Sequence, residues 1–361
     1  MLLTLDGAFY RRLAVTAAAI IAYRLGCAVP VPGLSADMVS ELARSSGLPP
    51  TSVSVCALGV VPLITVLILA ELLRTIVPGL RRWEQASPGN REFAGYAIIT
   101  LALVTAAVQA TGLASGLEDV SRLVPEPGGL FRTTTVATMV GGVALLIALA
   151  SIIDRAGIGY GVLLLFLVPT LVELPLNLVY IADAYSAGTY RFSSVALAGL
   201  FTALSVAAIV GLVLAARGAE LVSAACVWPL LIAYTLLAWV LFGIGMAVTG
   251  NLDQAAAYLA PGTGVRYVAL AAIIILTVWL YVRSGRIGGL PSPVPAAPIA
   301  AALAAIALAA ELLQSQFQTA LPLGAVHAVV AAVVATGILL RFSSAAGSDA
   351  DDVAQSSGLN R

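Results

Sequence analysis

The chain has 361 residues, 60% of them hydrophobic and only 10% charged, and its mean hydropathy is +1.02. No soluble domain hides that much apolar surface, so the composition excludes a water-soluble protein and implies a chain that crosses a membrane many times. The formal net charge of +0 implies no basic surface for nucleic acid.

Met1–Tyr10 is mixed in character, and the apolar run after Arg11 and Arg12 is too long for the core of a cleavable signal. A first span is therefore expected there instead of a leader. Runs of about 18 or more apolar residues then place spans near 12–32, 54–78, 92–114, 133–153, 160–182, 194–216, 222–248, 266–284, 295–314 and 319–341. The expected fold class is all-α, with about ten transmembrane helices in two pseudo-symmetric halves of five. The first half is expected over 1–188 and the second over 189–342. The Ser-, Asp- and Gly-rich tail, 343–361, reads as a disordered cytoplasmic end.

Orientation follows from arginine placement, since the chain has no lysine. With the N-terminus cytoplasmic, twelve arginines fall in or beside cytoplasmic segments and five on the opposite side, with Arg24 inside the first span. That bias predicts a multi-pass protein with both termini cytoplasmic.

Two breaks in these spans are informative. RLGCAVPVPG ends the first span in a rigid proline turn, and the second span carries Gly59 and Pro62 near its outer start. Kinked backbone is tolerated at membrane depth only where protein or water satisfies the freed polar groups, so these segments suit a cavity wall better than a lipid-facing surface. Pro229 lies near the cytoplasmic start of the seventh span, opposed to Pro62, as an inverted repeat would place it.

Cys27, Cys56 and Cys226 fall in or at the edges of apolar segments. Their odd number and the lack of CxxC spacing argue against a disulfide framework or metal site and favour small apolar fillers. Intramembrane acids are functional candidates by default. Glu71 is placed either to line an inner vestibule or to pair with Arg74 one turn on, the local pair being favoured. Glu173 is expected near the interface, and Glu311 at a helix end, snorkelling to water. His327 is expected to face a pore or a neighbouring helix, in preference to a proton relay. There is no HExxH, no GxSxG and no Gly-rich phosphate loop, so neither catalytic residues nor a cofactor or metal are expected.

The segments RLGCAVPVPGL, SVCALGVVPLITVLILAELL, NREFAGYAIITLALVTAAVQATGLASGL, FRTTTVATMVGGVALLIALASIIDRAGIGYG, VWPLLIA and YLAPGTGVRYVALAAI resemble, in order, spans one to five, seven and eight of the SecY family. That family supplies the central subunit of the protein-conducting channel. The proline turn and the GIGYG turn are the more specific parts of the match. The resemblance implies an hourglass pore between two helix-bundle halves, clamped by a SecE-like subunit and possibly joined by a SecG-like one, with an unfolded polypeptide as substrate. It implies an apolar pore ring of Val60, Ile64, Val162, Phe166, Leu231 and Val330. A lateral gate between the second and seventh spans would involve Pro62, Glu71 and Pro229.

Four departures accompany the resemblance. The interval from Gly33 to Ala57 is short, leaving ADMVSELARS for a small amphipathic helix and little for a plug. The connections after the sixth and eighth spans are reduced, which leaves docking of SecA or a ribosome open. Tyr160 fills the position in GIGxG where the family usually has a small polar residue. A divergent, shortened paralogue is one reading of these losses, and a non-conducting membrane scaffold is the other.

Overall fold

The computed structural model describes residues 7–46, 50–120, 122–215, 219–244, 260, 262–283, 296–316, 321 and 323–356. Every expected span coincides with a helix. In chain order the helices are α1 (Gly7–Ala28), α2 (Ala36–Ser46), α3 (Val61–Ile76), α4 (Pro78–Ala86), α5 (Pro88–Asp119) and α6 (Gly129–Ala156). They continue with α7 (Gly161–Ser186), α8 (Phe192–Ala215), α9 (Ala219–Ile244), α10 (Gly264–Arg283), α11 (Ala296–Gln316) and α12 (Ala325–Ser356). A 3-10 turn, Pro50–Val53, precedes α3. No strand occurs among the described residues beyond an isolated bridge between Pro30 and Ser54. The fold is all-α.

Six described helices are long and apolar enough to cross a membrane by length and composition, and seven if α3 and α4 count as one bent span. The helix at the first expected span, α1, carries three arginines, Arg11, Arg12 and Arg24, which dilute its hydropathy. The described apolar parts of α9 and α12 are shorter, Cys226–Ala238 and Ala325–Leu340.

Prolines set the breaks. Pro78 and Pro88 each sit at the first position of a helix, where a missing N–H costs nothing. Pro78 ends α3 at Val77, and α4 leaves at 103° to it. The side chain of Ser87 then caps α5, accepting from the Asn90 N–H at 3.1 Å. Pro169, Pro175 and Pro229 lie inside helices α7 and α9.

The chain divides into two units at Pro169, Met1–Val168 and Pro169–Arg361. In the first, α5 packs on α6 and on α3, and α1 packs on α6. One core cluster joins Val53, Leu117, Leu123, Val124 and Phe131, with Met38 and Val39 of α2 packed against it. The expected amphipathic helix is thus α2, and it buries its apolar face on the ends of α5 and α6. In the second unit α10 packs on α9 and α11, while α12 packs on α8 and α9. Leu230, Ile274, Leu303 and Val333 are fully enclosed there.

Candidate functional site

The turn ahead of α3 is built from small backbone devices. Val31 donates to the Val53 carbonyl at 3.0 Å and Val55 to the Val29 carbonyl at 2.9 Å, so the proline turn and the segment before α3 run antiparallel. Gly59 then turns the chain with φ of 55°, in the left-handed region that favours glycine. Val60 and Ile64, the first two expected ring residues, follow one helical turn apart, and both are buried.

Val162 and Phe166 stand one turn apart at the start of α7 and are half-buried. Val162 packs against a cluster formed by Leu63 and Val66 of α3 with Ala102 of α5, so the structure joins the starts of α3 and α7 in one apolar cluster. In the second unit Leu231 of α9 and Val330 of α12 are both buried, on two helices that pack together.

The turn between α6 and α7 explains the GIGYG motif. Asp154 accepts from the Gly161 N–H at 2.6 Å, and Thr16 of α1 accepts from the Ile158 N–H at 3.1 Å. A Cβ at Gly157 would collide with the Thr16 hydroxyl, and one at Gly161 with the Ala150 carbonyl, so glycine is required at both positions by close approach. Gly159 and Tyr160 have φ of 87° and 58°. Tyr160 thus occupies a conformation that disfavours a side chain.

Among the gate residues, Pro62 starts α3 and is buried. Glu71, also buried, lies 3.6 Å from Arg74, as the local pairing predicted. Sequence reasoning missed the stronger partner. Arg74 reaches past the helix break to grip Glu84 of α4 with two bonds, at 2.8 and 2.5 Å. Ten residues separate the two, and only the sharp bend at Pro78 brings them together. Pro229 lies inside α9.

Glu311 corrects the expectation of a side chain reaching out to water. It is 5% exposed and receives Nε and Nη2 of Arg266 at 2.8 and 2.7 Å. Tyr267 and Ser315 share a hydroxyl hydrogen bond of 2.7 Å beside it. Glu173 is exposed, and His327 is half-buried. The reduced connection after the sixth span and the loop after the eighth include residues outside those described.

A family model for SecY matches residues 54–288, well over half of the chain. The chain belongs to the SecY family. It is similar to protein translocase subunit SecY of Haemophilus influenzae, 32% identical over 173 residues, covering 44% of this chain and 39% of that protein. For protein translocase subunit SecY of Escherichia coli K12 the identity is 28% over 202 residues, covering 52% and 45%. The chain spans about half the length of the curated relatives it matches.

Two solved structures share the fold over nearly their whole length. A protein-conducting channel superposes with a TM-score of 0.59 at 15% identity, covering 95% of this chain and 94% of that one. Sec61 in the canine ribosome–channel complex from the endoplasmic reticulum gives 0.61 at 14%, with the same coverage. The multi-pass membrane architecture of the SecY family is therefore present in this chain, with both its helix-bundle units.

Proposed function

We propose that this protein is a SecY-type channel subunit that lets unfolded polypeptides cross or enter the membrane. The observation that carries this reading is the family match over 54–288, which runs from the turn ahead of the second span to the loop after the eighth. In this reading the chain forms two five-span halves, 1–188 and 189–342. Val60, Ile64, Val162, Phe166, Leu231 and Val330 form the waist. Apolar side chains at a narrow waist dewet it against ions yet make no fixed polar contacts with a sliding chain.

The gate lies between α3 and α9, near Pro62, Glu71 and Pro229. An apolar segment of about 20 residues leaves through it because burial in lipid favours the exit. Both termini face the cytoplasm of a cell whose inner membrane holds the protein. A SecE-like subunit clamps the halves, and a SecG-like subunit is an optional partner. The short cytoplasmic connections favour substrates delivered without extensive SecA or ribosome docking.

The test is co-purification with a SecE-like subunit, followed by crosslinking of a stalled signal-bearing chain to Ile64→Cys or Leu231→Cys, with the native cysteines replaced by serine. Crosslinks at both positions place a polypeptide in the pore. Subunit binding without crosslinks shows a non-conducting scaffold, and absence of both overturns the channel reading.

A further inference from the structure

Cys27, at the end of α1, and Cys56, in the turn ahead of α3, are both buried, at 6% and 4% exposure. They are 29 positions apart in the chain, yet the fold sets the Cys56 sulfur beside Gly26, the residue that precedes Cys27. The approach is held from both sides. The Pro30–Ser54 bridge and its two flanking backbone bonds fix the register of the two segments. Gly26 leaves the path open, since a Cβ there would lie 2.7 Å from the Cys56 sulfur.

We propose that Cys27 and Cys56 are an oxidisable dithiol, a modification site that closes to an intramolecular disulfide and ties the turn ahead of α3 to the end of α1. Two free cysteines set on neighbouring segments held in a fixed register need little backbone movement to be bridged. The oxidant is an organic disulfide or the disulfide of an oxidoreductase. One protein thiolate attacks a sulfur of that disulfide, forming a mixed disulfide and expelling one external thiolate. The second protein sulfur attacks the mixed disulfide, forms the Cys27–Cys56 bond and expels the other. Two protein thiols are oxidised, one external disulfide is reduced to two thiols, and the two thiol protons end on the leaving thiolates.

The loop so closed contains α2 and the 3-10 turn Pro50–Val53, so oxidation fixes the approach to α3. With the N-terminus cytoplasmic the pair lies at the outer end of the first span, towards the side where disulfides persist. That placement rests on the orientation proposed above; the thiol chemistry does not.

The absence of lysine makes the site easy to read. Trypsin cuts after arginine alone, giving Leu25–Arg44 with Cys27, Ser45–Arg74 with Cys56, and a separate peptide with Cys226. The full chain in native membrane vesicles is treated with oxidised glutathione, blocked with N-ethylmaleimide, denatured and digested without reductant. The expected product is Leu25–Arg44 joined to Ser45–Arg74, lost on reduction and absent from Cys56→Ser. Gly26→Ala, which pushes the Cys56 sulfur away, slows the linkage several-fold. Recovery of both peptides as separate maleimide or glutathione adducts overturns the proposal. So does linkage to Cys226 at a similar rate, or an unchanged rate in Gly26→Ala. The readout needs no transport, so it stands or falls apart from the channel reading.

Discussion

Arg266 and Glu311 form a two-bond ion pair between the start of α10 and the end of α11, with both side chains largely withdrawn from solvent. A buried carboxylate and guanidinium stabilise one another only as a pair; each alone is a desolvated charge without compensation. Glu311→Gln is therefore expected to cost about 3–5 kcal/mol, the range for breaking a buried pair from one side. The double change Arg266→Met with Glu311→Met is expected to recover most of that loss. A double-mutant cycle on thermal unfolding in detergent measures the coupling. Additive losses would show that the pair acts as two independent polar groups.

Gly141 and Gly142, neighbours in α6, are expected to respond in opposite directions. A Cβ at Gly142 would strike the Val55 carbonyl, which is backbone and has no flexible end to swing away. Gly142→Ala must displace the segment ahead of α3, at a cost of about 1–3 kcal/mol. Gly141 has open space around its Cβ position. Gly141→Ala is expected to stabilise α6 by about 0.5–1 kcal/mol, because glycine in a helix interior costs conformational entropy. Parallel thermal melts of the two variants decide this, and equal shifts would mean that α6 does not press on Val55.

How much of this was legible in the sequence depended on whether the signal was local. Length and hydropathy located a helix at every expected span, because a membrane demands long apolar runs and satisfied backbone. The small helix at Ala36–Ser46 was visible as an amphipathic pattern, and Glu71–Arg74 as a helical spacing. What escaped were pairings made by a sharp turn or by tertiary packing. Pro78 was legible as the end of a span, but not that a new helix would start on it at 103° and bring Glu84 back to Arg74. Glu311 looked like a side chain bound for water because its partner, Arg266, lies 45 residues away. Nor did the cysteine count show that the fold would set Cys56 beside the end of α1. Thr16 gave no sign that its hydroxyl would receive the Ile158 N–H from a turn 142 residues on.

The bend between α3 and α4 rests on Arg74. Its guanidinium holds Glu84 with two bonds, while the Asn90 side chain donates to the Trp83 carbonyl at 2.7 Å and the Trp83 and Phe93 rings meet edge to face. Arg74→Gln removes the charge and the fork, leaving Glu84 half-buried beside a neutral side chain. Amides of Gly79–Ala86 are then expected to exchange with deuterium roughly ten-fold faster, equivalent to about 1.4 kcal/mol of lost local stability. Those in the first three turns of α3 should not change. Faster exchange along all of α3 would mean that Arg74 supports the span itself and not the bend.

Tyr160 offers a test that inverts an ordinary preference. With φ of 58° it holds a conformation that costs a residue with a Cβ about 1–2 kcal/mol relative to glycine. It is also half-buried, so removing the ring loses packing whatever replaces it. Comparing Tyr160→Ala with Tyr160→Gly cancels the lost ring and leaves the backbone contribution. At an unstrained position alanine is the more stable of the two by up to about 1 kcal/mol, because glycine gives the unfolded chain more freedom. At position 160 Tyr160→Gly is expected to melt higher than Tyr160→Ala, with strain relief outweighing that entropy. The turn it occupies carries the Ile158 bond to Thr16 and the Gly161 bond to Asp154, so the gain should also slow amide exchange at Ile158 and Gly161. A Tyr160→Ala variant at least as stable as Tyr160→Gly would show that the turn relaxes out of the left-handed region once the ring is gone, and that the ring imposes the conformation.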